Sequence, residues 1–284
     1  MNLQGKTALI TGASRGIGRA IALEFAKQKL ECLILVARNA ERLAEVAAEV
    51  ERLGVRAVVL PLDLTQPIEV SVAVAQAWRT DGPIDLLINC AGVSHQVPFL
   101  QSHLPHVRSE IDTNLIGLYT VTRLIARRMA VYQRGHIINV SSLMGKVAAP
   151  SMATYSATKF AILGFSQALR GELAPYNVRV MALLPSLTDT DMVRDFRWFR
   201  WVHPMTPEQV AQALVKGLRW GTPEILVGWQ THLAVWCGRL APNLLERIVQ
   251  WSTPAPRVEK TLRMKKVFYN LAQLSPGHLG QDRV

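Results

Sequence analysis

Three side chains near the middle of the chain have the types and the spacing of a proton-transfer site. Tyr155 and Lys159 are four residues apart, and Ser142 precedes the tyrosine by thirteen residues. Positions i and i+4 of a helix share one face, so the phenol and the ammonium can point into one pocket. A nearby cation favours the phenolate, so we expect Lys159 to lower the pKa of Tyr155 from ~10 toward neutrality. Taken alone, the pair also fits two solvated side chains on a helix surface.

A glycine-rich segment near the start of the chain supports a catalytic interpretation of Tyr155 and Lys159. Residues 11–18 read Thr-Gly-Ala-Ser-Arg-Gly-Ile-Gly and lie between an apolar run and an amphipathic segment. That order predicts a strand, a tight turn and a helix whose N-terminus offers N–H groups to a pyrophosphate. Ordinary tight turns also use glycine. Combined with Ser142, Tyr155 and Lys159, the turn predicts a dinucleotide-dependent enzyme.

Short apolar runs alternate with helix-period stretches along most of the chain. The predicted strands are residues 6–10, 33–37, 56–60, 84–88, 135–140, 178–184 and 224–227. Continuous apolar strands separated by helices indicate a parallel sheet that is covered on both faces. We predict an α/β fold: a single doubly wound, Rossmann-type domain over residues 1–228, with a mostly parallel seven-stranded sheet. Residues 229–284 are predicted to form a helical C-terminal extension with a flexible end.

The composition limits the kinds of protein that this chain can be. The chain has 284 residues, of which 49% are hydrophobic and 19% are charged, as expected for a globular protein with an ample core. Its three cysteines have no metal-like spacing, and their odd number argues against a disulfide framework. The first predicted strand begins almost at once, which leaves no room for a signal peptide. We therefore expect a cytoplasmic protein.

The net charge of +11 favours anionic partners. No basic cluster interleaved with aromatic residues marks a nucleic-acid-binding module, so nucleic acid is not expected as a partner. Acidic substrates, acidic carrier proteins and anionic lipid remain open. Part of the excess positive charge lies in residues 257–266.

With these motifs the chain resembles the short-chain dehydrogenase/reductase family over most of residues 5–228. The family's glycine motif matches Gly12, Gly16 and Gly18, and its N-N-A-G motif matches residues 89–92, with Cys90 replacing the second asparagine. The P-G-x-x-x-T segment matches residues 185–190, with a serine in place of the glycine. The resemblance implies contacts to the cofactor from Gly12, Ser14, Arg15, Gly16, Ile17, Gly18, Arg38, Asp63, Leu64, Asn89, Ala91, Gly92, Tyr155, Lys159, Pro185, Thr188 and Thr190.

The resemblance also implies roles for four catalytic residues. Tyr155 would give a proton to the developing alkoxide, and Ser142 would hold the carbonyl oxygen. Lys159 would lower the pKa of the tyrosine and hold the nicotinamide ribose. Asn114 would support a water chain that leads protons to the site. Family members commonly pair through helices near residues 113–130 and 154–174, which implies a homodimer or a homotetramer.

The end of the second predicted strand bears on the choice of cofactor. Enzymes that prefer NAD usually place an acid there to bind the ribose 2′-hydroxyl. Here Ala37 occupies that position and Arg38 follows it, while Arg15 in the glycine turn adds a second cation. Two guanidinium groups can bind a 2′-phosphate through charge-assisted hydrogen bonds, although each alone would be an ordinary surface arginine. The pattern predicts NADP(H), and hence carbonyl reduction.

Other candidate residues receive structural interpretations. His95, His103 and His106 lack a carboxylate or a cysteine to complete a ligand set, so no metal site is predicted. Ser141 is expected to be structural, because successive strand residues face opposite sides of a sheet. Asp112 is expected to be a solvated or interface residue.

Two segments bear on the substrate and on localisation. Residues 191–204 correspond to a mobile lid in relatives and alternate four aromatic residues with arginines. They fit a lipophilic substrate with an anionic group, or equally packing of the aromatic rings on the body of the fold. In the extension, Trp229, Trp236 and Trp251 with nearby arginines suit a membrane interface. Packing on the protein's own domain or at a dimer contact is the other interpretation.

The sequence therefore predicts NADPH-dependent reduction of an apolar or lipid-like ketone or aldehyde. One alternative is a reductase of 3-oxoacyl thioesters. Another is a non-catalytic dinucleotide-binding protein or a membrane-peripheral protein with the same fold. The presence of Ser142, Tyr155 and Lys159 argues against the non-catalytic alternative.

Overall fold

The computed structural model describes residues 1–254 with the exception of Trp198. The predicted flexible end and the cationic residues 257–266 therefore lie outside the described residues. Residues 1–254 form one compact unit. The domain boundary proposed at residue 228 stays a prediction.

Seven strands form a single parallel sheet. They are β1 (Thr7–Thr11), β2 (Cys32–Ala37), β3 (Arg56–Pro61), β4 (Leu86–Asn89), β5 (Gly135–Val140), β6 (Val178–Pro185) and β7 (Glu224–Val227). Their order is β3-β2-β1-β4-β5-β6-β7, and every neighbouring pair is parallel. Each predicted strand lies within two residues of an observed one at both ends, so the predicted fold class is confirmed.

Nine α-helices connect and extend these strands within the described part of the chain. They are α1 (Gly16–Lys27), α2 (Ala40–Arg52), α3 (Pro67–Asp81), α4 (Leu104–Ile111), α5 (Leu118–Val131), α6 (Ala153–Leu173), α7 (Pro207–Trp220), α8 (Trp229–Leu240) and α9 (Pro242–Ser252). A π-helical segment, Asp112–Gly117, joins α4 to α5. None of the described helices is long and apolar enough to cross a membrane.

Hydrophobic layers cover both faces of the sheet, as the continuous apolar strands require. Ile10 of β1 packs in the layer that contains Phe25 of α1 and Leu214 of α7. Its neighbour Leu9 faces the opposite layer, together with Ile125 of α5. This alternation follows from the two-residue period of a strand.

The strand order reverses between β1 and β4, because the chain builds outward from β1 in one direction and then from β4 in the other. In open α/β sheets a crevice forms at this point, beyond the carboxyl ends of the strands. The glycine turn follows β1, and residues 90–95 follow β4. The topology therefore places both segments at one edge of the sheet.

Candidate active site

A cavity of about 520 Å³ opens at this edge. Every residue expected to contact the cofactor borders the cavity, with the exception of Asn89. Ser142, Tyr155 and Lys159 border it as well. The structure therefore brings the glycine turn and the proposed proton-transfer residues into a single site.

The glycine turn leaves no room for a side chain at Gly12 or at Gly18. Gly12 has a φ of +70°, and a Cβ atom there would lie 2.8 Å from the Cα of Ala91. A Cβ on Gly18 would collide with the carbonyl oxygen of Gly12. Thr11 fixes the turn against the end of β4, because its Oγ1 accepts hydrogen bonds from the N–H groups of Cys90 and Ala91, at 3.0 and 3.1 Å. The turn has the close backbone approach that a pyrophosphate needs, with the N-terminus of α1 beside it.

Tyr155, Lys159 and Ser142 converge on the cavity from two elements. Tyr155 and Lys159 lie on consecutive turns of α6, and the lysine Nζ is 5.5 Å from the centroid of the tyrosine ring. Lys159 Nζ also donates a hydrogen bond of 3.0 Å to the carbonyl oxygen of Val140 at the end of β5. Ser142, two residues later, forms a side-chain hydrogen bond with Tyr155.

The pKa of Tyr155 is shifted upward, whereas the sequence predicted a downward shift. Burial raises it to about 12, although the hydrogen bond from Ser142 acts in the opposite direction. Burial also lowers the pKa of Lys159 to about 8. Loss of hydration in the cavity wall outweighs the expected effect of the ammonium on the phenol. At neutral pH the phenol therefore keeps its proton.

Asn114 does not border the cavity. It is fully buried in the π-helical segment, where its Oδ1 accepts from the N–H of Val93 at 2.8 Å and its Nδ2 donates to the carbonyl oxygen of Val93 at 2.9 Å. These two bonds fix the loop after β4, which borders the cavity at Gly92 and Val93. The structure thus shows Asn114 as a support for the cavity wall. Its expected role in a water chain stays a prediction.

Asn89 and Ser141 are structural. Asn89 is buried, and its Nδ2 donates to Thr122 Oγ1 and Asn139 Oδ1, both at 2.8 Å. It ties β4 to β5 and α5 and does not border the cavity. Its expected contact with the cofactor stays a prediction. Ser141 donates a hydrogen bond of 2.9 Å to the backbone oxygen of Lys159, in agreement with the prediction.

Two residues of the cavity rim were not anticipated from the sequence. Arg42, in the first turn of α2, borders the cavity together with Arg15 and Arg38. Asp191, the first residue after Thr190, lies 3.3 Å from Arg15 and 3.5 Å from Arg42 through its Oδ2 atom. The available signal was a further cation four residues after Arg38, close behind the end of β2. No sequence signal connected Asp191 to Arg15.

The histidines are accompanied by a carboxylate, contrary to the sequence interpretation. Buried Glu110 accepts a hydrogen bond of 2.6 Å from the N–H of His95 and lies 3.3 Å from its Nδ1. The rings of His95 and His106 stack with centroids 4.2 Å apart. Burial raises the pKa of Glu110. No group of three or more potential ligands that could hold a metal ion occurs in the described part of the chain.

The segment expected to form a lid borders the cavity with apolar side chains. Phe196, Phe199 and Val202 line it on this side, and Val249 of α9 adds to the same wall. Gln96 holds the segment through two hydrogen bonds with the backbone of Arg197, at 3.0 and 2.8 Å. The end of the cavity beyond Tyr155 therefore has the surface expected for an apolar substrate.

Residues 6–200 of the chain match the family model described as short chain dehydrogenase. The ketoacyl reductase HetN of Nostoc sp. is 33% identical over 258 residues, which cover 88% of this chain and 90% of that protein. The 3-oxoacyl-(acyl-carrier-protein) reductase FabG of Aquifex aeolicus is 35% identical over 193 residues, covering 68% of this chain and 77% of that protein.

Solved structures show the same similarity. A short chain dehydrogenase from Burkholderia cenocepacia J2315, crystallised in complex with NADP, superimposes with a TM-score of 0.78. It is 29% identical in sequence, and the match covers 89% of this chain and 100% of that chain.

Proposed function

Because the chain belongs to the short-chain dehydrogenase family of oxidoreductases, we propose that it reduces a ketone or an aldehyde to an alcohol with NADPH. The observation that carries the proposal is the convergence of Ser142, Tyr155 and Lys159 with the glycine turn in one cavity. A protein that only bound a dinucleotide would have no need for a buried phenol and a buried ammonium at this position.

In the proposed mechanism the cofactor supplies a hydride and the protein supplies a proton. Reduced nicotinamide, when bound, supplies the hydride to the carbonyl carbon. Tyr155 donates its proton to the carbonyl oxygen as negative charge develops there, and Ser142 positions that oxygen by a hydrogen bond. Lys159 stabilises the phenolate that remains, because its ammonium lies 5.5 Å from the ring centroid. One hydride and one proton together convert the carbonyl group to an alcohol.

The protonation state of the phenol supports the proposed direction of the reaction. With the pKa of Tyr155 raised to about 12, its hydroxyl group is protonated at neutral pH and ready to donate. An alkoxide is more basic than a phenolate, so proton transfer to it is favourable. Oxidation of an alcohol would need the phenolate at the start, which burial disfavours. These properties support carbonyl reduction as the proposed direction.

The preference for NADPH is supported by the three arginines at one end of the cavity. Arg15, Arg38 and Arg42 can surround a phosphate group, and no acid follows β2 to bind a 2′-hydroxyl.

We expect the double variant Arg38→Ala/Arg42→Ala to raise the Kd for NADPH by about tenfold or more, because hydrogen bonds to charged groups contribute ~1.5–3 kcal/mol each. The Kd for NADH should change by less than about twofold, since that cofactor lacks the ribose 2′-phosphate. Cofactor fluorescence measures both values. Arg52→Ala, at the exposed end of the same helix, is the matched control. Equal weakening of both cofactors would contradict the assignment.

An apolar or lipid-like substrate is supported by Phe196, Phe199, Val202 and Val249 in the cavity wall. A 3-oxoacyl thioester is the second candidate, because two relatives carry ketoacyl and 3-oxoacyl reductase names. A panel of 3-oxoacyl thioesters, steroids, long-chain ketones and quinones, followed by NADPH consumption, separates the two. Turnover of the thioesters alone would favour the second candidate, and no turnover of any carbonyl would contradict both.

The proposed setting of the enzyme is the cytoplasm, with peripheral membrane contact through the residues after β7. A homodimer or a homotetramer through α5 and α6 is part of the proposal. It is supported by exposed apolar side chains on and beside these helices, at Ile116, Tyr119 and Phe160.

A further inference from the structure

A row of large apolar side chains is exposed along α8. The spacing of four, three and four residues places them on one side of the helix, since successive residues turn by about 100°. The buried residues Thr231 and Val235 face the opposite side. The exposed row consists of Trp229, Leu233, Trp236 and Leu240, and its two tryptophans are 71% and 63% exposed.

A second row is exposed on α9, which packs against α8. Leu245 of α9 lies close to Gly238 of α8. The exposed apolar residues of α9 again follow a spacing of four and three, and they are Leu244, Ile248 and Trp251, the last of which is 71% exposed. The seven residues on the two helices are named here the apolar stripe. Large exposed apolar surfaces of this kind mark sites of interaction.

Cations flank the apolar stripe on both helices. Arg239 directly precedes Leu240, and Arg247 directly precedes Ile248, so each guanidinium emerges beside the stripe. Both arginines are exposed. The chain as a whole carries a net charge of +11. The surface thus combines apolar side chains with a positive border.

One of these two helices, α9, forms part of the cavity wall. Val249 and Ser252, on a neighbouring face of α9, border the cavity. The N–H of Arg200 donates a hydrogen bond of 2.8 Å to the carbonyl oxygen of Ser252, and Gln230 donates one of 3.2 Å to the carbonyl oxygen of Trp201. The lid segment is therefore attached to α8 and α9, and the apolar stripe lies beside the substrate end of the cavity.

We propose that the apolar stripe and its flanking arginines bind the surface of an anionic lipid bilayer, and that the enzyme takes its carbonyl substrate from that bilayer. The lipid binding deepens the peripheral membrane contact proposed above, and the substrate class rests on the proposed carbonyl reduction. Tryptophan and arginine are the residues that settle at the interface between hydrocarbon and water, and an amphipathic helix can lie in that plane. A second copy of the chain has a separate apolar face available, on α5 and α6.

The binding is tested by flotation of the full chain with phosphatidylcholine vesicles, with and without phosphatidylglycerol. We expect the protein to float with the anionic vesicles. The variant Trp229→Ser/Trp236→Ser/Trp251→Ser should lose at least about tenfold in partitioning. Arg239→Gln/Arg247→Gln should lose about 30-fold on anionic vesicles, because each cation near such a surface contributes ~1 kcal/mol. Trp220→Ser is the matched control, since Trp220 is 82% exposed at the end of α7, outside the stripe.

Three outcomes would overturn the proposal. One is a protein that stays in the aqueous fraction. Another is a triple variant that floats as well as the unchanged protein. The third is a change of oligomeric mass in the triple variant, seen by light scattering without any flotation, which would make the stripe a contact between copies.

The substrate source is tested by kinetics. The triple variant should raise KM for a long-chain ketone embedded in anionic vesicles by at least about tenfold, while kcat/KM for a water-soluble ketone stays unchanged. Equal loss on both ketones would contradict the bilayer as source. Tyr155→Phe should float like the unchanged protein, so binding without turnover of any carbonyl would count against the proposed function and leave the membrane site standing.

Discussion

Replacing Tyr155 with phenylalanine is expected to lower kcat for carbonyl reduction by about 10²–10⁴-fold, the range usually attributed to a positioned acid. The substitution removes only the hydroxyl group, so the buried ring and its packing are kept. The Kd for NADPH should change little, because the glycine turn and the arginines are untouched. Stopped-flow measurement of NADPH oxidation under single-turnover conditions separates the chemical step from product release.

Tyr176→Phe is the matched control for this prediction. Tyr176 is exposed near the end of α6 and does not border the cavity, so its loss should leave kcat within about twofold. If the Tyr155 variant kept near-full turnover, another group would have to supply the proton, and the assignment of the acid would be wrong.

Replacing Lys159 with methionine is expected to abolish most turnover and yet to stabilise the fold. Burial lowers the pKa of Lys159 from 10.5 to about 8, so at neutral pH the folded protein holds a buried charge at a cost of about 3 kcal/mol. Methionine removes that cost but leaves the carbonyl oxygen of Val140 without its donor, which offsets about 1 kcal/mol. The free energy of unfolding should therefore rise by about 1–2 kcal/mol, measured by urea denaturation at pH 7.

The same lysine gives activity and stability opposite dependences on pH. The unfolded state holds the proton of Lys159 up to about pH 10.5, whereas the folded state releases it near pH 8. The stability of the unchanged protein should thus increase between these values, and the Lys159→Met variant should lack this increase. Turnover of the unchanged protein should decline above about pH 8, because the ammonium beside the phenol is lost.

Lys27→Met controls for removal of a surface cation, since Lys27 is exposed and, among the described residues, pairs only with its helix neighbour Glu24. Its effect on the free energy of unfolding should stay below about 1 kcal/mol. A Lys159→Met variant that was less stable than the unchanged protein at pH 7 would show that the buried charge does not carry the expected cost.

The fold could be predicted from the sequence because periodicity reports burial directly. The strands read as continuous apolar runs since both faces of the parallel sheet are covered, and β1 is buried at all five positions. The helix expected near residues 113–130 was predicted less accurately. Its first part is the π-helical segment Asp112–Gly117, where Gly117 approaches Leu64 and Asn114 binds Val93. These tertiary contacts leave no trace in the hydrophobic pattern.

The site was predictable to the extent that motifs encode local geometry. The glycine turn and the spacing of Tyr155 and Lys159 are local, and both segments border the cavity. The direction of the pKa shift of Tyr155 was not predictable, because it depends on burial rather than on the neighbouring lysine. The contact of Asp191 with Arg15 joins residues 176 positions apart, and only the folded chain shows it.

Asp191 belongs to the segment expected to form a lid, whereas Arg15 and Arg42 border the cofactor end of the cavity. A phosphate group and this carboxylate would compete for the same guanidinium groups. Thermodynamic coupling of this kind is reciprocal. By whatever factor an anion at the arginines weakens their contact with Asp191, that contact must weaken the affinity for the anion by the same factor.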